Sequence, residues 1–283
     1  MHADGVYSIR ELCAALGVSR AGFYAHRQKP ARPRRTEDQR LAEQIRAAFL
    51  ASRQTYGTPR LRADLAAQGA RLGRRRIARL MRHQALRPRQ KRAFVPRTTD
   101  SSQTRRPAPP RLLEAPAPTA CGQIWVTDIT YIPTREGFLY LAAELDLYSR
   151  RIVGWATAET METPLVLRAL ERAVASAPSL SPALLHHSDQ GSQYASRDFT
   201  AALEQLGFAQ SMSRRGNCYD NAAMESFWAT LKTECFADHL PPSREAARLW
   251  IFDYIETFYN PLRRHSSLGF LSPLQFEIQS TTT

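Results

Sequence analysis

Ile124-Trp125-Val126-Thr127-Asp128-Ile129-Thr130-Tyr131-Ile132 is a run of β-branched and aromatic residues that reads as a buried strand, with one acid in its middle. A carboxylate inside an apolar strand is costly unless something pairs with it, and a divalent cation shared with a second carboxylate is the usual partner. Two further runs supply such carboxylates. In His187-Ser-Asp189-Gln-Gly-Ser-Gln-Tyr194, Asp189 ends a short strand over 183–188, just before a Gly-containing turn. In Asp220-Asn-Ala-Ala-Met-Glu225-Ser226, Glu225 falls on a helix 36 positions after Asp189, which leaves room for one helix, one strand and a loop. Three carboxylates in this order suit phosphoryl chemistry on two hard divalent cations.

The surrounding pattern is α/β. Strands are expected at 138–148 and 151–157, a helix at 163–177, a helix at 197–206, a strand at 208–212 and then the Glu225 helix. On that helix Glu225, Trp228, Ala229 and Lys232 follow i, i+3, i+4, i+7. Lys232 thus shares the face of Glu225 and can meet a phosphate, while Met224, Phe227 and Leu231 form a neighbouring stripe for the sheet. The loop Ser213-Arg214-Arg215-Gly-Asn-Cys-Tyr219 is basic and is expected to grip nucleic acid beside the carboxylates; leading into the helix is its other reading. Asp146 reads as a structural acid for Arg150 or Arg151, Asp220 as a helix cap, and His187 as a core histidine or a support to a metal ligand. Gly191 and Gln193 are expected to shape the turn after Asp189.

The net charge of +13 is unevenly placed. Residues 1–120 hold 26 Lys and Arg against 8 Asp and Glu, whereas residues 121–283 hold 13 against 18. A basic half is the footprint of a polyanion partner, and an acidic half suits a metal-binding core. No apolar run approaches the ~18 residues of a membrane span and no signal peptide is apparent, so a cytoplasmic, nucleoid-associated protein is expected. Cys13, Cys121, Cys218 and Cys235 lie 108, 97 and 17 positions apart, a spacing without a zinc motif, and read as free thiols.

The basic half reads as two helical units. Ser8 can cap a helix with apolar Ile9, Leu12, Cys13 and Leu16, and after Gly17-Val-Ser19 a second helix carries Phe23 and Tyr24, giving a helix-turn-helix pattern over 1–30. Residues 36–97 form a second, basic unit: a helix over 36–52, a helix capped by Thr58 with Pro59 at its first position, and a third around Ile77, Leu80 and Met81. From Arg71 to Arg92 there are ten basic residues and no acid, among them Arg74, Arg75, Arg76, Arg79 and Arg82, which favours phosphate contact over a solvated face. Residues 98–120 are rich in Pro, Ser, Thr and Ala and read as a linker between this region and a core at 121–240. A helical tail follows at 241–283.

The three carboxylate runs, Lys232 seven positions after Glu225, and the tail Tyr259-Asn260-Pro-Leu-Arg263-Arg-His265-Ser-Ser-Leu268-Gly269 with Ser272-Pro273 resemble the DDE transposase and retroviral-integrase superfamily. Within it they resemble the insertion-sequence-three transposases of second-reading-frame type. That resemblance covers nearly the whole chain and implies a ribonuclease-H-like integrase core. It also implies Asp128, Asp189 and Glu225 as catalytic and metal-binding residues, with Asp128 bridging two Mg²⁺ ions and Mn²⁺ as a possible substitute. The implied activity is 3′-end cleavage and strand transfer at transposon ends. The implied partners are DNA, further copies of the chain in a synaptic complex, and an upstream-frame helix-turn-helix protein or fusion. A non-transposing nuclease of the same fold and a catalytically silent DNA-binding repressor are the competing readings. The role of the tail motif does not follow from the sequence.

Overall fold

The computed structural model describes residues 7–28, 33–89, 112, 114–177, 180–213, 221–236 and 239–282. Strand β1 (Ile124–Thr134) pairs antiparallel with β2 (Gly137–Asp146), and β2 antiparallel with β3 (Ile152–Ala158). On its other side β1 pairs parallel with β4 (Leu185–Ser188), and β4 parallel with β5 (Ala209–Met212), so the order is β3-β2-β1-β4-β5. Three meandering strands followed by two parallel ones is the order expected of the ribonuclease-H-like fold. The β1–β4 ladder spans only Ile124 to Val126 on β1. From Asp128 onward no strand among the described residues pairs with that edge of β1, which is where a site can form.

Alternation along the strands divides the core into two layers. Val126, Ile132, Leu141, Ala143 and Leu145 face one side, where Met224, Phe227 and Leu231 of a long helix, Ala222–Cys235, cover them. Trp125, Ala142, Val153 and Ala156 face the other, under the helices Thr163–Ser176 and Arg197–Gln205. The helix Thr163–Ser176 lies so close to β3 that a Cβ on Gly154 would stand 2.3 Å from the Ala169 carbonyl oxygen and 2.6 Å from the Ala173 Cβ. Only glycine permits this approach.

In chain order the helices are α1 (Ile9–Ala15), α2 (Arg20–Gln28), α3 (Pro33–Ala51), α4 (Thr58–Ala67), α5 (Arg74–His83), α6 (Thr163–Ser176), α7 (Arg197–Gln205), α8 (Ala222–Cys235), α9 (Arg244–Phe252) and α10 (Pro273–Thr282). The expected cap at Ser8 is present, and Ser19 caps the second helix. Ser8 forms a full capping box with Glu11, and the Ser19 hydroxyl accepts from the Gly22 N–H at 3.0 Å. Thr58 differs from expectation: Gly57 holds the cap position without a side-chain bond and Thr58 is already helical. Pro59 in the first turn, whose missing N–H costs nothing there, is enough to start the helix.

Helices α3, α4 and α5 enclose Leu41, Ile45, Phe49, Leu61, Leu65, Ile77, Leu80 and Met81, an apolar cluster continuous with the α8 side of the sheet. The junction runs through the tail. After α9 the chain forms a π-helical stretch, Asp253–Tyr259, whose Tyr254, Ile255, Phe258 and Tyr259 are all buried. Arg53 grips its outer side, donating to Asp253 Oδ2 at 2.6 Å and Thr257 Oγ1 at 2.8 Å. The Tyr56 hydroxyl donates to the Leu262 carbonyl at 3.1 Å and accepts from the Arg264 N–H at 2.7 Å, and Arg264 pairs with Asp64.

The tail motif therefore fastens the molecule together. Asn260 Oδ1 accepts from the Ile152 N–H and its Nδ2 donates to the Ile152 carbonyl, both at 3.0 Å, closing the start of β3. Arg263 makes a two-pronged, buried pair with Glu234 near the end of α8, at 2.7 and 2.6 Å, and the Tyr254 hydroxyl donates to the same carboxylate at 2.8 Å. His265 is half-buried beside Tyr259, and desolvation, then the charges of Arg263 and Arg60, push its imidazole down to about 2. It is a neutral packing residue at any physiological pH. No described helix is long and apolar enough to cross a membrane.

Candidate active site

Asp128 lies mid-strand on β1, opposite Ala143 of β2, and its side chain projects to the α8 face. Trp228 Nε1–H donates to Asp128 Oδ2 at 2.9 Å, so α8 fixes the carboxylate in one orientation. Asp189 follows β4 directly. Its Oδ1 accepts from the Gly191 N–H at 2.9 Å, and a Cβ on Gly191 would stand 2.9 Å from that same oxygen, so the turn holds the carboxylate and a side chain at 191 would displace it. The Tyr194 and Ala195 N–H groups donate to the Gly191 carbonyl, and Gln193 donates to the Met161 carbonyl, as expected of turn-shaping residues. Glu225 stands exposed in the first turn of α8.

The three carboxylates share one electrostatic neighbourhood. Desolvation is the largest influence on Asp128, followed by the charge of Asp189 and, more weakly, that of Glu225; together they push its carboxyl up to about 7, against the Trp228 hydrogen bond that lowers it. Desolvation also raises Asp189, and the Gly191 N–H opposes that shift. Desolvation raises Glu225 as well. Among the described residues no three His, Cys, Asp or Glu side chains lie close enough together to hold a metal ion, Asp128, Asp189 and Glu225 included. The donor set is nonetheless all hard oxygen, and its mutual repulsion is what a divalent cation would relieve.

Lys232 is half-buried two turns along α8 from Glu225, its Nζ over the Tyr131 ring at 4.9 Å from the centroid. Desolvation lowers its pKa, and the Asp128 charge offsets part of that. It stands with the carboxylates as the helical spacing predicts. Trp228 is the neighbour of Asp128 whose part the sequence left open: its spacing placed it on the Glu225 face, but a tryptophan there is indistinguishable from core until its N–H is seen to find Asp128.

Other candidates resolve as structural. His187 is buried, bonded through Nδ1 to Ser211 at 2.8 Å and through Nε2 to Ser213 at 3.1 Å. Asp146 accepts from the backbone N–H groups of Gly122, Tyr148 and Ser149 and from the Ser149 hydroxyl, rather than from the expected side chains of Arg150 or Arg151. At the start of α8, Asn221 occupies the cap position and its Nδ2 donates across to the Thr127 carbonyl at 3.0 Å, tying the helix to β1. Asp220, Arg214 and Arg215 lie outside the described residues, as do Cys218, most of the 98–120 linker, and Lys91 and Arg92. Cys13, Cys121 and Cys235 are free.

The α5 arginines fall into two groups. Arg76 pairs with Glu37 and Asp38 at 2.8 Å, and Arg79 with Asp38 at 2.6 Å, which binds α5 to α3. Arg74, Arg75 and Arg82 are exposed on the outer surface.

Residues 118–218 and 206–273 match the family described as integrase core domain, and residues 36–94 match the HTH-like domain. The insertion element IS600 uncharacterized 31 kDa protein of Shigella sonnei is 47% identical over 94% of this chain and 97% of its own length. Transposase InsF for insertion sequence IS3A of Escherichia coli (strain K12) is 40% identical over 96% of this chain and 94% of its own. Among solved structures, a simian T-cell lymphotropic virus intasome is 20% identical with a TM-score of 0.46, covering 76% of this chain and 70% of that one. The HTLV-2 integrase catalytic core domain in complex with magnesium is 14% identical with a TM-score of 0.43, covering 56% of this chain and 98% of that one. The identity to the curated relatives, end to end, decides the matter: this chain belongs to the IS3 family of insertion-sequence transposases, with an HTH-like domain ahead of an integrase core.

Proposed function

We propose that Asp128, Asp189 and Glu225 are the catalytic carboxylates of this transposase, binding Mg²⁺ and carrying 3′-end cleavage of the element's DNA and transfer of the freed strand to target DNA. The observation that supports this most is Asp128 itself: an acid set within the sheet, oriented by Trp228, and pushed up to about 7 by burial and by two further carboxylates. Bound in pairs, such ions activate the attacking oxygen and neutralise the leaving one. The protein's own part is positioning. Trp228 holds Asp128, the Gly191 turn holds Asp189, and Glu225, exposed at the start of α8, would have to turn inward to complete the set. Lys232 is well placed to meet a phosphate of the transposon end.

DNA is held chiefly by the basic half in this reading, with Arg74, Arg75 and Arg82 on phosphates and Arg214 and Arg215 near the scissile bond. Arg76 and Arg79 contribute field rather than contact while they remain paired to α3. Two transposon ends are brought together by further copies of the chain, aided by the product of an upstream frame, in a nucleoid-associated complex. The test is release and joining of a labelled 3′ strand from a duplex carrying the element's own end. Both steps should require Mg²⁺ or Mn²⁺ and stop with EDTA; joining that persists in EDTA would refute metal dependence.

A further inference from the structure

At the open edge of β1 the β1–β2 hairpin carries an aromatic surface beside the site. The Tyr131 and Phe138 rings meet edge to face, centroids 5.0 Å apart, and Phe138 is 51% exposed. Lys232 Nζ covers Tyr131 and also senses the charge of Asp128, so this surface and the carboxylates share one cation. The hairpin is anchored. The Arg135 N–H donates to the Pro241 carbonyl at 3.1 Å, the Arg244 N–H to Glu136 Oε2 at 2.9 Å, and Arg244 Nε to the Phe138 carbonyl at 3.2 Å. A large ring held out to solvent on a rigid hairpin, next to a partly desolvated lysine, is poor packing but a good platform for a planar, negatively charged ligand.

We propose that Phe138, backed by Tyr131, stacks an unpaired base at the transposon end while Lys232 holds the adjoining phosphate. The inference rests on the carboxylate reading above and adds to it a nucleotide site. An aromatic face beside the carboxylates stabilises a terminal base once it has left the stack. Charge complementarity favours DNA over a second protomer, because Lys232 stands over Tyr131, the ring that backs Phe138, while the nearby exposed Glu136 is engaged by the Arg244 N–H.

The experiment compares full-length protein binding to two duplexes of the element's own end, one fully paired and one mismatched at its last base pairs. Wild type should prefer the mismatched end, and Phe138→Ala should lose about tenfold of that preference while binding the paired end as before. Phe138→Trp should keep it. An unchanged preference in Phe138→Ala would overturn the proposal, as would an altered sedimentation coefficient for that variant without DNA, which would make the ring a protomer contact. Because cleavage is not the readout, a failed triad assignment would appear separately, as wild-type protein that discriminates the ends but does not cut them in Mg²⁺.

Discussion

Asp128→Asn should stabilise the metal-free protein while abolishing its chemistry. The amide keeps the bulk of the carboxylate and still accepts from Trp228, but it removes a charge that is repelled by Asp189 and Glu225 and poorly hydrated. An unfolded Asp titrates at about 3.8, the folded one at about 7. Between those values the folded state binds more protons than the unfolded one, so wild-type stability falls as pH rises through this window and is fully present only below it. At 1.36 kcal/mol per pH unit the step corresponds to a ceiling of about 4 kcal/mol. Asp128 keeps one edge toward solvent and is coupled to Asp189, so about 1–2 kcal/mol is the expected gain at pH 8. That is an increase of roughly 2–8 °C in Tm for a chain of this size. Thermal unfolding in EDTA from pH 4 to 8.5 should show the variant above wild type at pH 8 and level with it near pH 4. Millimolar Mg²⁺ should then stabilise wild type and not the variant. A variant no more stable than wild type at pH 8, or a wild-type curve flat from pH 4 to 8, would refute the account of a charge-strained Asp128.

Trp228→Phe removes the donor to Asp128 and should move the rising limb of the pH–rate profile upward by about one pH unit, the size of a hydrogen bond to a charged group; an unmoved limb would separate Trp228 from Asp128. Glu234→Gln breaks the buried pair with Arg263 and should cost about 3–5 kcal/mol in urea unfolding, since it strands a buried guanidinium. Arg74→Glu, Arg75→Glu and Arg82→Glu should each lower the salt slope of DNA binding by about 1, whereas Arg76→Gln and Arg79→Gln should act mainly on stability, having Glu37 and Asp38 as partners. Gly154→Ala should destabilise by at least about 1–3 kcal/mol in thermal unfolding, the cost of forcing a methyl against α6.

The strands and helices of the core were legible because their period is strict: β1 from Ile124 and α6 from Thr163 were expected where they occur. Asp128, Asp189 and Glu225 were legible because an acid interrupting an apolar run is conspicuous. What the sequence hid were contacts between residues far apart in it. Nothing local to Glu234 announces that Arg263 and Tyr254, 29 and 20 positions on, will surround it. Nor does the composition of 36–97, overwhelmingly basic, show that its apolar side would merge with the core and tail. The partners of Asp146 were misjudged for a related reason. A nearby arginine is visible in sequence, but the turn that presents three backbone N–H groups to the carboxylate is not.

Strand joining by the conservative amide series tests the central claim most directly. Asp128→Asn, Asp189→Asn and Glu225→Gln should each lose 3′-end cleavage and strand transfer in Mg²⁺ while still binding the transposon end through the basic half, with affinity in EDTA at least that of wild type. Near-normal joining by any one of the three would contradict the assignment of these carboxylates as a single metal-binding catalytic set.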